Sequence, residues 1–373
     1  MSFTERKFRL RNRQRNKNET MRSIGIDIGT SAIRAAYYSD ADRKLLFPAK
    51  ERDDGIRFCF EITPNGRLSV KKKRGVGSIS ILNHTAAENI RFANHEKKGT
   101  IVSTVDVLEK TAALVIRAAD SLLPPGNGFE RETFAVACRD ELLGLERADE
   151  RVINAFSNVL HESADVRLVS GICAAAASFF WETEPPESEK LILAVDFGYT
   201  GFRCGIVSID PKLRAVPLLY RHVRGGSERI DAILHDLFEQ KVAFSFGADA
   251  VMGGRPRVGF DMLRSRLRTD SCVLNISVDN AQERMLLTRR EFETLVSPML
   301  GEYLECLEKL LSDAESDRML PEAAVLIGSA AELSLVHSSF RELIRGYFGN
   351  IRVDTSHPRT GTAIGASLIA DRG

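Results

Sequence analysis

Two stretches of the chain share one outline: an apolar run, an aspartate, a turn of glycine and threonine, and a second apolar run. The first, "IGIDIGTSAIRAAYY" from Ile24, is apolar up to Asp27, turns on Gly29-Thr30-Ser31 and resumes as "AIRAAYY". The second, "LAVDFGYTGFRCGIVSI" from Leu193, repeats the plan around Asp196, nearly half a chain later. Each reads as two strands joined by a tight turn. The first hairpin leads through a charged turn, "DADRK", into a third apolar run, "LLFPA". Residues 55–100 read as polar and irregular, with a hairpin around Asn65-Gly66. An apolar face of Val105, Leu108, Ala112, Leu114, Val115 and Ala118 predicts a helix over about 105–122. The strand "TFAVAC", the helix "ADERVINAFSNVLHES", the strand "DVRLVS" and the Ala-rich helix "ICAAAASFFW" complete the first half.

The acidic, proline-containing "ETEPPESEK" separates the halves. The second opens with the repeated hairpin and a third strand, "AVPLLYRHV", followed by "GGSERIDAILHDLFEQ", a helix begun at a double glycine. Helices are expected around 259–270 and 289–315. "AAVLIGSAAELSLVHSSFRELI" then reads strand, glycine turn, helix, and "TGTAIGASLIADRG" a small-residue helix. Each half is thus β-β-β followed by α, β and α units, a mixed sheet flanked by helices and built twice. The expected division is a basic tail over 1–20, a first lobe over 21–188 with a small subdomain at about 55–105, and a second lobe over 189–373 with a subdomain at about 229–311.

Composition narrows the function class. With 43% hydrophobic and 28% charged residues the chain reads as globular, and no run reaches the roughly 18 apolar residues of a membrane span. No apolar signal-peptide core precedes the first strand, so a cytoplasmic protein is expected. The six cysteines form no CxxC and read as reduced thiols, and the seven histidines show no zinc-binding spacing. Net charge is +1 overall, but residues 1–20 hold seven Lys/Arg against two acids, leaving a slightly acidic body with no nucleic-acid footprint. The basic head reads as a disordered tail or an over-extended start, with Met21 standing where a natural start would fit.

A glycine turn after a strand lets backbone N–H groups approach a phosphate, and a strand-end aspartate can face hydrated Mg²⁺. Two such hairpins, with Gly225-Gly226 and Gly328, are the units of a polyphosphate clamp, although glycines serve ordinary tight turns equally well. On "IGIDIGTS", "LAVDFGYTG", "VRGGSERID", "VLIGSAAELSLV" and "TAIGAS", the chain resembles the sugar kinase/DnaK/actin superfamily. It is most similar to the nucleotide-binding domain of DnaK-type (heat shock protein 70) chaperones. The resemblance implies an α/β, duplicated actin-like ATPase (ribonuclease H-like) fold, with two lobes around a central nucleotide cleft binding ATP/ADP and Mg²⁺. It places Gly29, Thr30 and Ser31 in a first phosphate loop and Gly198, Tyr199 and Thr200 in a second. Asp27 and Asp196 would face Mg²⁺ and the attacking water. Gly225 and Gly226 would back the ribose and phosphates, with Gly328 and Ser329 beside the adenosine.

Departures from the family pattern temper the activity expected. Gly171 stands where a glutamate would help position water, and Tyr199 adds bulk in a glycine-rich loop. Ser329 replaces a glycine, Glu332 an arginine against adenine, and Arg359 an acidic residue before the last helix. Leu263 and Arg266 replace a Glu and a Lys that would hold ribose and base, and the γ-phosphate lysine cannot be assigned to Lys71, Lys72 or Lys73. With the closing helix running to Gly373, a protein without the family's peptide-binding domain is expected. The leading expectation is a nucleotide-dependent switch with weak or absent hydrolysis, open to a protein partner or self-association. The alternatives are a filament subunit like the cell-shape protein MreB and a small-molecule kinase on the same fold.

Overall fold

In a computed structural model, the structure describes residues 22–28, 33–39, 42–45, 59–62, 68–71, 89–93 and 98–103, parts of 106–117, then 132–138, 140, 146–159, 164–246, 267, 271–278 and 281–372. Two five-stranded sheets have the same order. In the first, β1 (Arg22–Ile28), β2 (Ile33–Ser39) and β3 (Asp42–Leu45) form an antiparallel meander, and β8 (Glu132–Cys138) and β9 (Ala164–Ser170) add in parallel on the other side of β1. In the second, β10 (Lys190–Phe197), β11 (Gly201–Ile209) and β12 (Ala215–Arg224) repeat the meander, with β15 (Ala323–Ile327) and β16 (Arg352–Asp354) in the places of β8 and β9. The α/β, duplicated architecture expected from the sequence is the one observed.

Strand parity decides what each face does. Along β10, Leu193, Val195 and Phe197 enter the core of the second half, while Ile192 and Ala194 face the other way, toward the centre of the molecule. On the first side, Phe197, Phe202, Tyr303 and Phe340 form an aromatic cluster, with Phe197 and Tyr303 ring centroids 4.6 Å apart. The helices α4 (Arg289–Ser316) and α5 (Ser334–Phe348) supply Tyr303 and Phe340. Thr288 caps α4 by accepting a hydrogen bond from the Glu291 N–H.

The central faces of both sheets are covered crosswise. The helix α2 (Gly171–Ala177) follows β9 in sequence yet packs against β10, β11 and β12. The helix α6 (Gly361–Arg372) follows β16 yet lies on β1, β2 and β8. The two helices meet each other at small residues: a Cβ on Gly365 would lie 1.6 Å from the Ala174 carbonyl oxygen. Gly25 is equally tight, its Cβ position 2.1 Å from the Ala363 oxygen. One buried cluster therefore contains Ala36 and Tyr38 of the first sheet, Ile192 and Val207 of the second, and the two helices between them.

Several elements differ from the sequence reading. The third strand of the first sheet is Asp42–Leu45, in the charged segment, rather than "LLFPA". An edge strand is held by backbone pairing in the register of its hairpin and accepts charged side chains. The hairpin expected around Asn65-Gly66 forms from β4 (Cys59–Ile62) and β5 (Leu68–Lys71). Two more hairpins were not expected: β6 (Asn89–Ala93) with β7 (Lys98–Ser103), and β13 (Cys272–Val278) with β14 (Ala281–Leu287). The remaining helices are α1 (Glu146–Ser157) and α3 (Ser227–Phe246). Within the helix expected at 105–122, the described residues 106, 108–113 and 116–117 are helical. The helix expected around 259–270 lies outside the described residues apart from Leu267, as do Leu263, Arg266, Lys72 and Lys73.

The helix crossing makes a sharp test. Gly365→Ala places a methyl group on backbone that cannot rotate away, so it is expected to destabilise the protein by about 2 kcal/mol or more. Gly346→Ala, where a Cβ meets nothing within 4 Å, should be neutral or mildly stabilising. Equilibrium urea denaturation of both variants checks this, and equal midpoints would show that the two helices can part without cost.

Candidate functional site: a cleft between the two sheets

The site follows from the parity that builds the core. Asp196 lies on the same face of β10 as Ile192 and Ala194, and Arg203 on the same face of β11 as Val207 and Ile209. At the end of the hairpin this pair is directly cross-strand, Asp196 opposite Arg203. The first sheet has the same arrangement, Asp27 opposite Arg34. The Arg203 Nη1 donates to Asp196 Oδ2 at 3.2 Å, and Arg34 Nη1 lies 3.5 Å from Asp27 Oδ2. All four side chains line one cleft, together with Ile28, Ala137, Cys138, Gly171, Gly198, Tyr199, Thr200, Gly328, Ser329, Pro358, Arg359 and Thr362.

Of the residues expected to form the site, the cleft brings together Asp27, Asp196, Gly198, Tyr199, Thr200, Gly328 and Ser329. Gly29, Thr30 and Ser31 lie outside the described residues. Gly225 and Gly226 are placed behind the second loop rather than among the lining residues. The Gly225 N–H donates to Thr200 O at 3.1 Å, and the first N–H groups of α3, from Ser227 and Glu228, donate to Gly198 O and Tyr199 O at 3.0 and 2.9 Å. A Cβ on Gly226 would sit 2.2 Å from Gly198 O. The double glycine thus lets α3 press its N-terminus directly onto the loop's carbonyls, satisfying donors that a helix start leaves open. Gly328 has φ +99°, in the region glycine tolerates, and its Cβ position falls 2.2 Å from the Phe197 backbone. Ser329 and Ser227 share a hydroxyl–hydroxyl hydrogen bond of 2.7 Å, tying the turn after β15 to α3.

Two departures noted separately in the sequence prove to be one interaction. Arg359 donates through Nε and Nη2 to both carboxylate oxygens of Glu332, at 3.0 and 2.8 Å. With side chains only 11% and 14% exposed, this bidentate pair spans the segments after β15 and before α6. Glu332 stands where an arginine was expected and Arg359 where an acid was, and here the two side chains pair with each other.

At Gly171 no side chain reaches the cleft, and a Cβ there would meet the Cys138 carbonyl oxygen at 2.9 Å. The neighbouring Asp140 is occupied at the start of α2: it accepts from the Ser170 hydroxyl and from the Ile172 N–H at 3.2 Å. Arg34, Arg203 and Asp140 were missed by the sequence reading. The repeated spacing from Asp27 to Arg34 and from Asp196 to Arg203 is seven positions in both hairpins, and it was the available clue.

Burial pushes the Asp27 carboxyl up to about 6 from its ordinary 3.8; Arg34 opposes the rise, Asp196 adds to it, and Arg203 opposes it. Cys173, buried beside the cleft in α2, has its thiol pushed up to about 12, chiefly by burial, and the cysteines at 138, 173, 204 and 306 are free thiols.

Paired five-stranded sheets of this order, crossed by two helices and holding a strand-end aspartate each, define the actin-like ATPase class. Within it, the family model described as Hsp70 protein matches residues 164–371, more than half of the chain. The chain belongs to the Hsp70 family, as a divergent member similar to its nucleotide-binding domain. A chaperone protein HscA of Proteus mirabilis is 23% identical over 374 residues, covering 94% of this chain and 58% of that protein. A chaperone protein HscA homolog of Vibrio atlanticus is 34% identical over 206 residues, 55% of this chain and 32% of its own length. A heat shock cognate HSP70 protein of Trypanosoma brucei brucei is 24% identical over 216 residues, 55% of this chain and 31% of its own. The chain spans from about a third to somewhat over half the length of these curated relatives. Family membership suggests nucleotide binding, generally with Mg²⁺. No helix among the described residues is long and apolar enough to cross a membrane.

Among the described residues, the donor set does not fit a hydrated Mg²⁺ as it stands. The two carboxylates in position to hold one each already face a guanidinium, and a dication placed against them would oppose two positive charges, one buried and one partly buried.

Two measurements probe these charges. Because the folded-state pKa of Asp27 is raised, the folded protein holds its proton between pH 3.8 and about 6, and stability from this group falls as pH rises through that window. Asp27→Asn should remove the fall, so the unfolding free energy of the variant relative to the parent rises by about 1–3 kcal/mol between pH 4 and pH 7. A difference that is flat with pH would contradict it. For the exchanged pair, Glu332→Ala and Arg359→Ala should each cost about 2 kcal/mol or more, and the double variant clearly less than their sum. Additive losses in urea denaturation would mean that the pair contributes no coupling.

Proposed function

We propose that the cleft binds an adenine nucleotide, ATP or ADP, and that the chain acts as a nucleotide-dependent switch with weak or absent hydrolysis. The observation that carries this reading is the convergence of both hairpins on one cleft. The second loop (Gly198, Tyr199, Thr200) and the Gly328-Ser329 turn flank the strand-end aspartates there. Phosphates would sit over the second loop, against Asp196 and Arg203. The adenosine would lie toward Gly328 and Ser329, beside the Glu332–Arg359 pair. The bistable element would be opening and closing about the crossed helices α2 and α6, since those helices join the two sheets.

Hydrolysis needs a group to orient a water and accept its proton. Among the described residues lining the cleft, the carboxylates are Asp27 and Asp196, and each is engaged by an arginine. Gly171 supplies no group, and Asp140 is held at the start of α2. Losing a positioned base commonly costs about 10²- to 10⁴-fold in rate. The chemistry left to the site is therefore binding and release, with a protein partner or self-association as the readout.

Calorimetry with ATP and ADP, paired with single-turnover phosphate release, tests the reading. We expect nucleotide binding that Gly198→Val weakens about tenfold or more, since the added carbon begins 3.2 Å from Gly201 O and 3.6 Å from Asp196 Oδ1. Turnover should be near background and Gly171→Glu should not restore it, because its Cβ lies 2.9 Å from backbone. Rapid phosphate release by the parent, abolished by Asp196→Asn, would overturn the switch-without-turnover reading.

A further inference from the structure

We infer that Arg34 and Arg203 take the place of a divalent cation in this cleft, so that the nucleotide's phosphates bind to two guanidinium groups without Mg²⁺. The inference rests on the nucleotide reading above and specifies its chemistry. The two arginines occupy equivalent positions of the duplicated fold, each directly cross-strand from a strand-end aspartate. Neither is a surface residue: their side chains are 13% and 9% exposed, and both line the cleft. Two carboxylates and one Mg²⁺ sum to zero charge, and so do two carboxylates and two guanidinium groups. The charge balance that a metal would give is already present in covalent form.

The second loop is shaped around this group. A Cβ on Gly201 would lie 3.3 Å from Arg203 Nη2, and one on Gly198 would lie 3.6 Å from Nη1, so the loop backbone closes directly onto the guanidinium. A phosphate approaching that backbone meets Arg203 at the same point. Arginine suits the position because its planar fork of five donors can hold a carboxylate on one edge and phosphate oxygens on another. The aspartates then act as positioning residues, holding the two forks in place before the ligand arrives.

The test is calorimetry of ATP and ADP binding to the full chain in excess EDTA and in excess MgCl₂. The parent should bind in EDTA with a dissociation constant within about threefold of its value in Mg²⁺. Arg34→Gln/Arg203→Gln should lose about tenfold or more in EDTA and recover with Mg²⁺, as the carboxylates are released to a metal. Should that double variant fail to fold, Arg34→Lys and Arg203→Lys keep the charge without the fork, and each should weaken binding in EDTA severalfold. Parent binding that appears only with Mg²⁺, or EDTA binding unchanged in the arginine variants, overturns the inference and leaves the nucleotide reading intact. No binding of either nucleotide in either buffer overturns both.

Discussion

The contact between α2 and α6 at Ala174 and Gly365 holds the rest of the molecule in place, because no side chain separates the two helix backbones there. Each helix is joined in sequence to one sheet and packed in space against the other, so the sheets are fastened by covalent connection and by burial at once. Alanine and glycine at this crossing bring the helices close enough that both sheet faces share a single apolar cluster. Any larger residue would push the sheets apart. The cleft forms where the helices' coverage ends and the strand-end aspartates emerge.

At that end of the sheets the problem changes from packing to charge. Burial, with a lesser contribution from the nearby Asp196, makes the Asp27 carboxyl resist ionisation and raises its pKa. An arginine cross-strand from each aspartate offsets the cost locally, within the same hairpin and in the same register in both halves. The Glu332–Arg359 pair follows the same rule on the neighbouring wall. Among the described residues, each charge lining the cleft is thus answered by an opposite one a few ångströms away.

Much of this was legible in the sequence. Strand-turn-strand outlines, helix patterns and the duplicated order of elements follow from local periodicity, which is a property of neighbouring residues. Edge strands such as Asp42–Leu45 and Arg352–Asp354 were less legible because backbone pairing defines them, and the hairpins over 89–103 and 272–287 were not singled out. Of the residues lining the candidate cleft, the aspartates, the second loop and Gly328-Ser329 stand in motifs that the sequence displays. Gly225-Gly226 was expected to back the ribose and phosphates, and the structure sets it behind the second loop as a brace.

The sequence by itself determined the duplicated α/β plan, the two strand-end aspartates and the absence of a glutamate at Gly171. These depend on local pattern and on residue identity, and both can be read along the chain. Only the tertiary structure decided what those residues face. Arg34 and Arg203 became partners of the aspartates through hairpin register, and Glu332 met Arg359 because β15 and the start of α6 converge at one wall. Pairing of charges distant in sequence is a matter of Coulomb energy at a few ångströms, and that separation is fixed only when the sheets and their crossed helices have packed.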